Sequence, residues 1–128
     1  MKPRDRDAAV CRRILREIDD VDGMLDGHTE GEFLSSTLLQ KATVMTLLNI
    51  GELTKSFTDE FLDATHWMPW QDIRSARNIA AHTYDALDMR DVWETYRADL
   101  PQLRKEMDRA LLRLSSGWDP VKEARKKP

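Results

Sequence analysis

Apolar positions recur with helical spacing along almost the whole chain. Cys11, Ile14, Ile18, Val21 and Leu25 follow one another at steps of three, four, three and four, a narrow seam that predicts a first helix. Val10 and Leu15 widen that seam, Gly23 is a weak point in it, and Gly27 marks its end. Thr29 and Glu32 have the spacing of a capping box, so a second helix is expected from about Glu30 to beyond Phe57. Leu34, Leu38, Lys41, Met45 and Leu48, together with Leu39, Ala42, Val44, Leu47 and Ile50, cover more than half of its circumference. A helix this apolar is buried on two sides, either inside a bundle or between two copies of the chain. Glu52 lies among these residues and must face water or answer an arginine from another helix.

Residues 65–70, Thr-His-Trp-Met-Pro-Trp, break the pattern, and Pro69 suits the first turn of a third helix that carries Ile73, Ala76, Ile79 and Ala80 and ends near His82. Asp91 and Glu94 have capping spacing for a fourth helix. Its seam runs Trp93, Tyr96, Leu100, Leu103, Met107, Leu111 and Leu114, with a kink or split expected at Pro101. Gly117 closes it, and residues 117–128 read as a loosely attached basic tail behind a helical domain of residues 1–116. The fold class is therefore all-α, a bundle of four main helices. Trp67, Trp70 and Trp93 read as core or dimer contacts, and Met45 and Met107 as core filler.

Composition narrows the function classes. Five glycines and five prolines in 128 residues are too few for the tight turns of a small β-sandwich or barrel. No stretch approaches 18 apolar residues, and residues 1–7 lack the apolar run of a signal peptide, so the cytoplasm is expected. Cys11 is the one cysteine, which excludes an internal disulfide framework and a cysteine-rich zinc site. The net charge of -3 predicts solubility rather than strong non-specific binding to nucleic acid. Its distribution is uneven. Six Lys/Arg fall within residues 2–16, and Lys122, Arg125, Lys126 and Lys127 crowd the other end, so local basic patches or simply solvated faces are expected.

The histidines, His28, His66 and His82, show no metal-ligand spacing with one another or with Cys11, and there is no glycine-rich phosphate loop and no GxSxG elbow. No metal and no cofactor is expected. One stretch stands out: Arg77-Asn78-Ile79-Ala80-Ala81-His82-Thr83-Tyr84. An arginine and a histidine at this spacing arise roughly 0.3 times by chance in such a composition; requiring the asparagine and tyrosine as well lowers that to roughly 10⁻⁴.

This stretch resembles the motif of the HEPN superfamily, specifically its HepT-like branch of ribonuclease toxins paired with minimal nucleotidyltransferase antitoxins of the MntA type. Leu48-Asn49-Ile50-Gly51-Glu52 is similar to the branch's Ile-Gly-Glu stretch, Met68-Pro69-Trp70 to its Pro-Trp helix start, and Val92-Trp93 with Asp99-Leu100-Pro101-x-Leu103 to its last helix. The resemblance spans about residues 5–115; Leu53 and Lys55 depart from it, where smaller residues are expected. It implies a symmetric homodimer and metal-independent cleavage of RNA, tRNA or mRNA, by Arg77 and His82, with Asn78 as polar support. It further implies that Tyr84 accepts AMP from the partner nucleotidyltransferase, which silences the toxin and which could also hold it in a hetero-oligomer. The alternative is an inert helical module that binds the nucleotidyltransferase or its substrate; a duplex-DNA regulator is a third reading and would show steep salt dependence.

The residue chemistry suits these roles. RNA carries its own nucleophile, the 2′-hydroxyl; histidine moves protons near neutral pH, and arginine matches phosphate in charge and shape. On one continuous helix, five steps of about 100° set Arg77 and His82 roughly 140° apart. Either the helix ends by about Ala81 or two protomers share the site. The residues alone also admit plainer roles: His82 at a helix C-terminus, Arg77 paired with Glu52 or Asp72, Tyr84 as a packed aromatic.

Overall fold

The computed structural model describes residues 1–74 and 86–126. Helix α1, Pro3–Leu25, is followed by α2, Glu30–Leu34, and α3, Thr37–Leu53; a 3₁₀ turn over Thr54–Ser56 leads to α4, Asp59–Ala64. A fifth helix, α5, starts at residue 70 and is described through residue 74. Then come α6, Met89–Glu94, a π turn over Thr95–Asp99, α7, Leu100–Ser115, and α8, Pro120–Arg125. Among the described residues there is no strand, so the all-α expectation holds. No described helix is long and apolar enough to cross a membrane.

The α1 seam is the spine of the core. Cys11, Ile14, Ile18, Val21 and Leu25 are all buried, against α7 on one side and α3 on the other. Gly27 ends the connection with φ 80°, a conformation that costs glycine little. The Thr29 capping box forms as expected: the Thr29 hydroxyl accepts from Glu32 N–H, and the Glu32 carboxylate accepts from Thr29 N–H.

The single second helix expected from Glu30 to beyond Phe57 is instead three helices. Ser36 Oγ accepts from Leu39 N–H and begins α3, while the Gln40 side-chain amide donates to the carbonyls of Phe33 and Leu34 and closes α2. Short polar side chains offer the backbone partners other than the helix's own. The break lets Phe33 reach the core, fully buried, while Leu38 is left 78% exposed. At the other end, Thr54 Oγ1 donates to the Gly51 carbonyl and Thr58 caps α4, so α3 stops at Leu53.

The last long element runs from Met89 to Ser115. Its cap is Asp88, whose carboxylate accepts from Arg90 N–H, rather than the expected Asp91, which lies inside the first turn. The irregularity expected at Pro101 is the π turn just before it, in which Leu100 N–H reaches back to the Thr95 carbonyl. A proline ring clashes with the carbonyl four residues earlier, and a widened turn relieves that clash. The segment expected to be a loose tail is docked at least to Arg125. Pro120 is buried, Trp118 packs 6.0 Å from Phe61, and the Arg113 guanidinium lies 3.9 Å from the Trp118 ring centre.

Candidate functional site

Arg77, Asn78, His82 and Tyr84 lie outside the described residues, as do the end of the third helix near His82 and any pairing of Arg77 with Glu52 or Asp72. The structure shows how the chain is held on each side of them. Upstream, Trp70 is buried against Phe57 and Phe61, with ring centres 5.3 and 6.3 Å away, and its indole N–H donates to Thr65 Oγ1 at 3.0 Å. One helical turn later the Arg74 guanidinium donates to the Thr54 carbonyl at 3.1 Å and to its hydroxyl at 3.4 Å. Thr54 is fully buried, so the start of α5 is anchored beside the end of α3. Downstream, Leu87 packs on the core and Asp88 opens α6, whose Val92 and Trp93 are buried. The Trp93 ring packs tilted against Phe33, with ring centres 5.2 Å apart.

The other groups able to do chemistry have ordinary structural duties. His28 donates from Nδ1 to Glu32, and His66 donates from Nδ1 to the Asp63 carbonyl; both are exposed at helix ends. Burial pushes the Cys11 thiol up to about 12, so it is not a nucleophilic thiolate near neutral pH. Glu52 is exposed and lies 3.2 Å from Lys55 Nζ. Among the described residues no three of His, Cys, Asp and Glu gather in a way that would hold a metal ion. Trp67, expected in the core or at a dimer contact, is 53% exposed and donates from its indole N–H to Glu106. Met107 is buried as expected, but Met45 is 56% exposed rather than core filler, because α3 turns that face outward.

Three of the described residues had no signal as partners in the sequence. Arg104 reaches from α7 to Asp19 at 2.7 Å and Asp22 at 2.8 Å on α1, and these carboxylates raise its pKa further. The acidic run in α1 was visible in the chain, but its partner was not, because 82 residues separate Asp22 from Arg104.

A family model described as Ribonuclease HepT-like matches residues 14–110, an interval that includes the 77–84 motif. The chain belongs to the HepT-like ribonuclease family. A protein of Caldanaerobacter subterraneus named a "putative RNase" is 30% identical over 98 residues, which are 77% of this HepT-like chain and 88% of that protein. A Methanocaldococcus jannaschii protein named "gamma-glutamylcyclotransferase and putative RNase" is 30% identical over 94 residues, 73% of this chain but only 42% of its own length. A Thermococcus cleftensis protein named "probable ribonuclease HepT" is 28% identical over 78 residues, 61% of this chain and 71% of that one. No solved structure matches the chain.

Proposed function

We propose that this HepT-like chain is a metal-independent endoribonuclease toxin. The reading is carried by the Arg77-Asn78-x3-His82-x-Tyr84 motif inside a span that matches a ribonuclease family. In the proposed reaction the 2′-oxygen of the RNA attacks the adjacent phosphorus and the P–O5′ bond breaks. The products are a 2′,3′-cyclic phosphate and a 5′-hydroxyl. His82 moves the protons, and Arg77 stabilises the charge that gathers on the phosphoryl oxygens. Asn78 supports the site as a neutral hydrogen-bonding neighbour. The nucleophile and the leaving group both belong to the RNA, so the step balances without a metal ion or cofactor.

The active unit is proposed to be a twofold homodimer. Leu38 and Met45 support this: seven residues apart on α3, they share a face, and both are exposed. Control is proposed through a cognate nucleotidyltransferase antitoxin. The Tyr84 phenol oxygen attacks the α-phosphorus of ATP, pyrophosphate leaves, and the added AMP brings bulk and negative charge that repel RNA.

His82→Ala is expected to lower the rate of RNA cleavage in the presence of a chelator by about 10²-fold or more, with an unchanged circular dichroism spectrum. Cleavage at the parent's rate would sink the mechanism. Co-expression with the nucleotidyltransferase is expected to add one or more AMP masses to the parent and none to Tyr84→Phe, read by intact-mass spectrometry. An equal shift in both would move the acceptor elsewhere.

A further inference from the structure

The two basic clusters of the sequence, one near residue 2 and one near residue 122, meet in space. Helix α8 packs on α1 and α4, and between α1 and α8 lies a groove of about 320 Å³ lined by Lys2, Arg4, Asp5, Asp119, Lys122 and Arg125. Pro3 and Val121 complete its lining. Four cations therefore face two carboxylates. The Asp119 carboxylate is already engaged, accepting from Val121 N–H and Lys122 N–H as the cap of α8. Among the described residues none of the four cationic side chains forms an ion pair or a hydrogen bond, whereas Arg104 and Arg109 each meet a carboxylate. A second groove of similar size beside α3 differs in kind: there Arg13 and Arg16 are balanced by Glu17 and Glu52.

Like charges that outnumber their counter-charges repel one another and raise the local potential, and an external polyanion relieves that repulsion. We propose that this groove binds the phosphodiester backbone of the RNA substrate, through residues outside the Arg77 and His82 motif. The inference rests on the ribonuclease reading for the identity of the polyanion. Lys2 and Arg4 come from the start of α1 and Lys122 and Arg125 from α8, and four cations lining one groove suit the several phosphates of a strand better than a single anion. Such contacts position RNA without reading its sequence. The family's cleavage motif then has a second hold on the substrate, supplied by residues far from it in the chain.

The test is a binding titration on the intact protein with a fluorescein-labelled 2′-O-methyl oligouridylate, which cannot be cut through its 2′-oxygen. Lys122→Glu combined with Arg125→Glu is expected to weaken binding by about tenfold at low salt and to reduce the log–log salt slope by about 1.5. The milder pair Lys122→Gln and Arg125→Gln is expected to show the same direction, so a folding defect in the charge-reversed protein would not hide the answer. Cleavage of unmodified RNA at saturating concentration should keep the parent's kcat, with KM raised. Unchanged affinity and slope in both pairs would overturn the groove while leaving cleavage by the parent to support the ribonuclease reading. Loss of affinity for polyglutamate with RNA affinity intact would assign the groove to an acidic protein chain and also overturn it. A parent that binds the oligouridylate through these residues but cuts no RNA would uphold the groove and sink the ribonuclease reading.

Discussion

Asp7 shows how one residue decides a junction. It is fully buried, and its two carboxylate oxygens accept from Thr58 N–H at 2.8 Å and from the Thr58 hydroxyl at 2.7 Å, tying α1 to the cap of α4. Burial raises its pKa above its ordinary value, against the opposing pull of those two hydrogen bonds. A raised folded-state pKa means that the fold holds the proton more tightly than the unfolded chain does. The contribution of Asp7 to stability is therefore largest below the usual carboxylate pKa, and it declines as pH climbs through the raised value. Asp7→Asn removes the charge, keeps an acceptor for Thr58 N–H and donates its amide N–H to the Thr58 hydroxyl, so in urea unfolding the parent should lose stability relative to this variant as pH rises above about 4. Asp7→Ala strands a buried N–H and hydroxyl and should cost about 1–3 kcal/mol in the same experiment.

At the scale of elements, the apolar repeat and the caps divided the work. The α1 seam could be read directly, because Cys11, Ile14, Ile18, Val21 and Leu25 are each both apolar and buried. The stretch around Ser35 and Ser36 could not, since its apolar spacing runs on unbroken while two hydroxyls and Gln40 end one helix and start the next. The start of α6 was misplaced for a related reason: Asp88 and Asp91 are both sound caps by type, and only the backbone shows which one accepts an N–H. Asp88→Ala should lower stability by about 1 kcal/mol in a thermal melt. Asp88 lies past the motif, so RNA cleavage well below the melting range should be unchanged; a rate that falls with the stability intact would give this cap a role in the site.

On the scale of the whole molecule, the broad apolar surface expected on the second helix resolves into an inner face, with Val44 and Ile50 buried, and an outer one that carries Leu38 and Met45. If that outer face joins two copies, Leu38→Glu combined with Met45→Glu should yield a monomer in analytical ultracentrifugation and lower RNA cleavage several-fold or more. A monomeric variant with full activity would show that one chain suffices. The candidate chemistry itself was legible from the chain, because catalysis constrains the type and spacing of a few residues, and a motif such as Arg77 to Tyr84 is a local pattern. Helix periodicity, capping pairs and the absence of strand signals were local too, and so the all-α class followed from the residues alone. Which distant groups meet was settled only by packing. The Arg104 contact with Asp19 and Asp22, the Thr58 cap under Asp7, the docking of Trp118 and the union of the two basic clusters each join residues far apart in the chain. No periodicity encodes such pairs: they form because burying α1 between α3 and α7 leaves one arrangement of the remaining helices that fills the core.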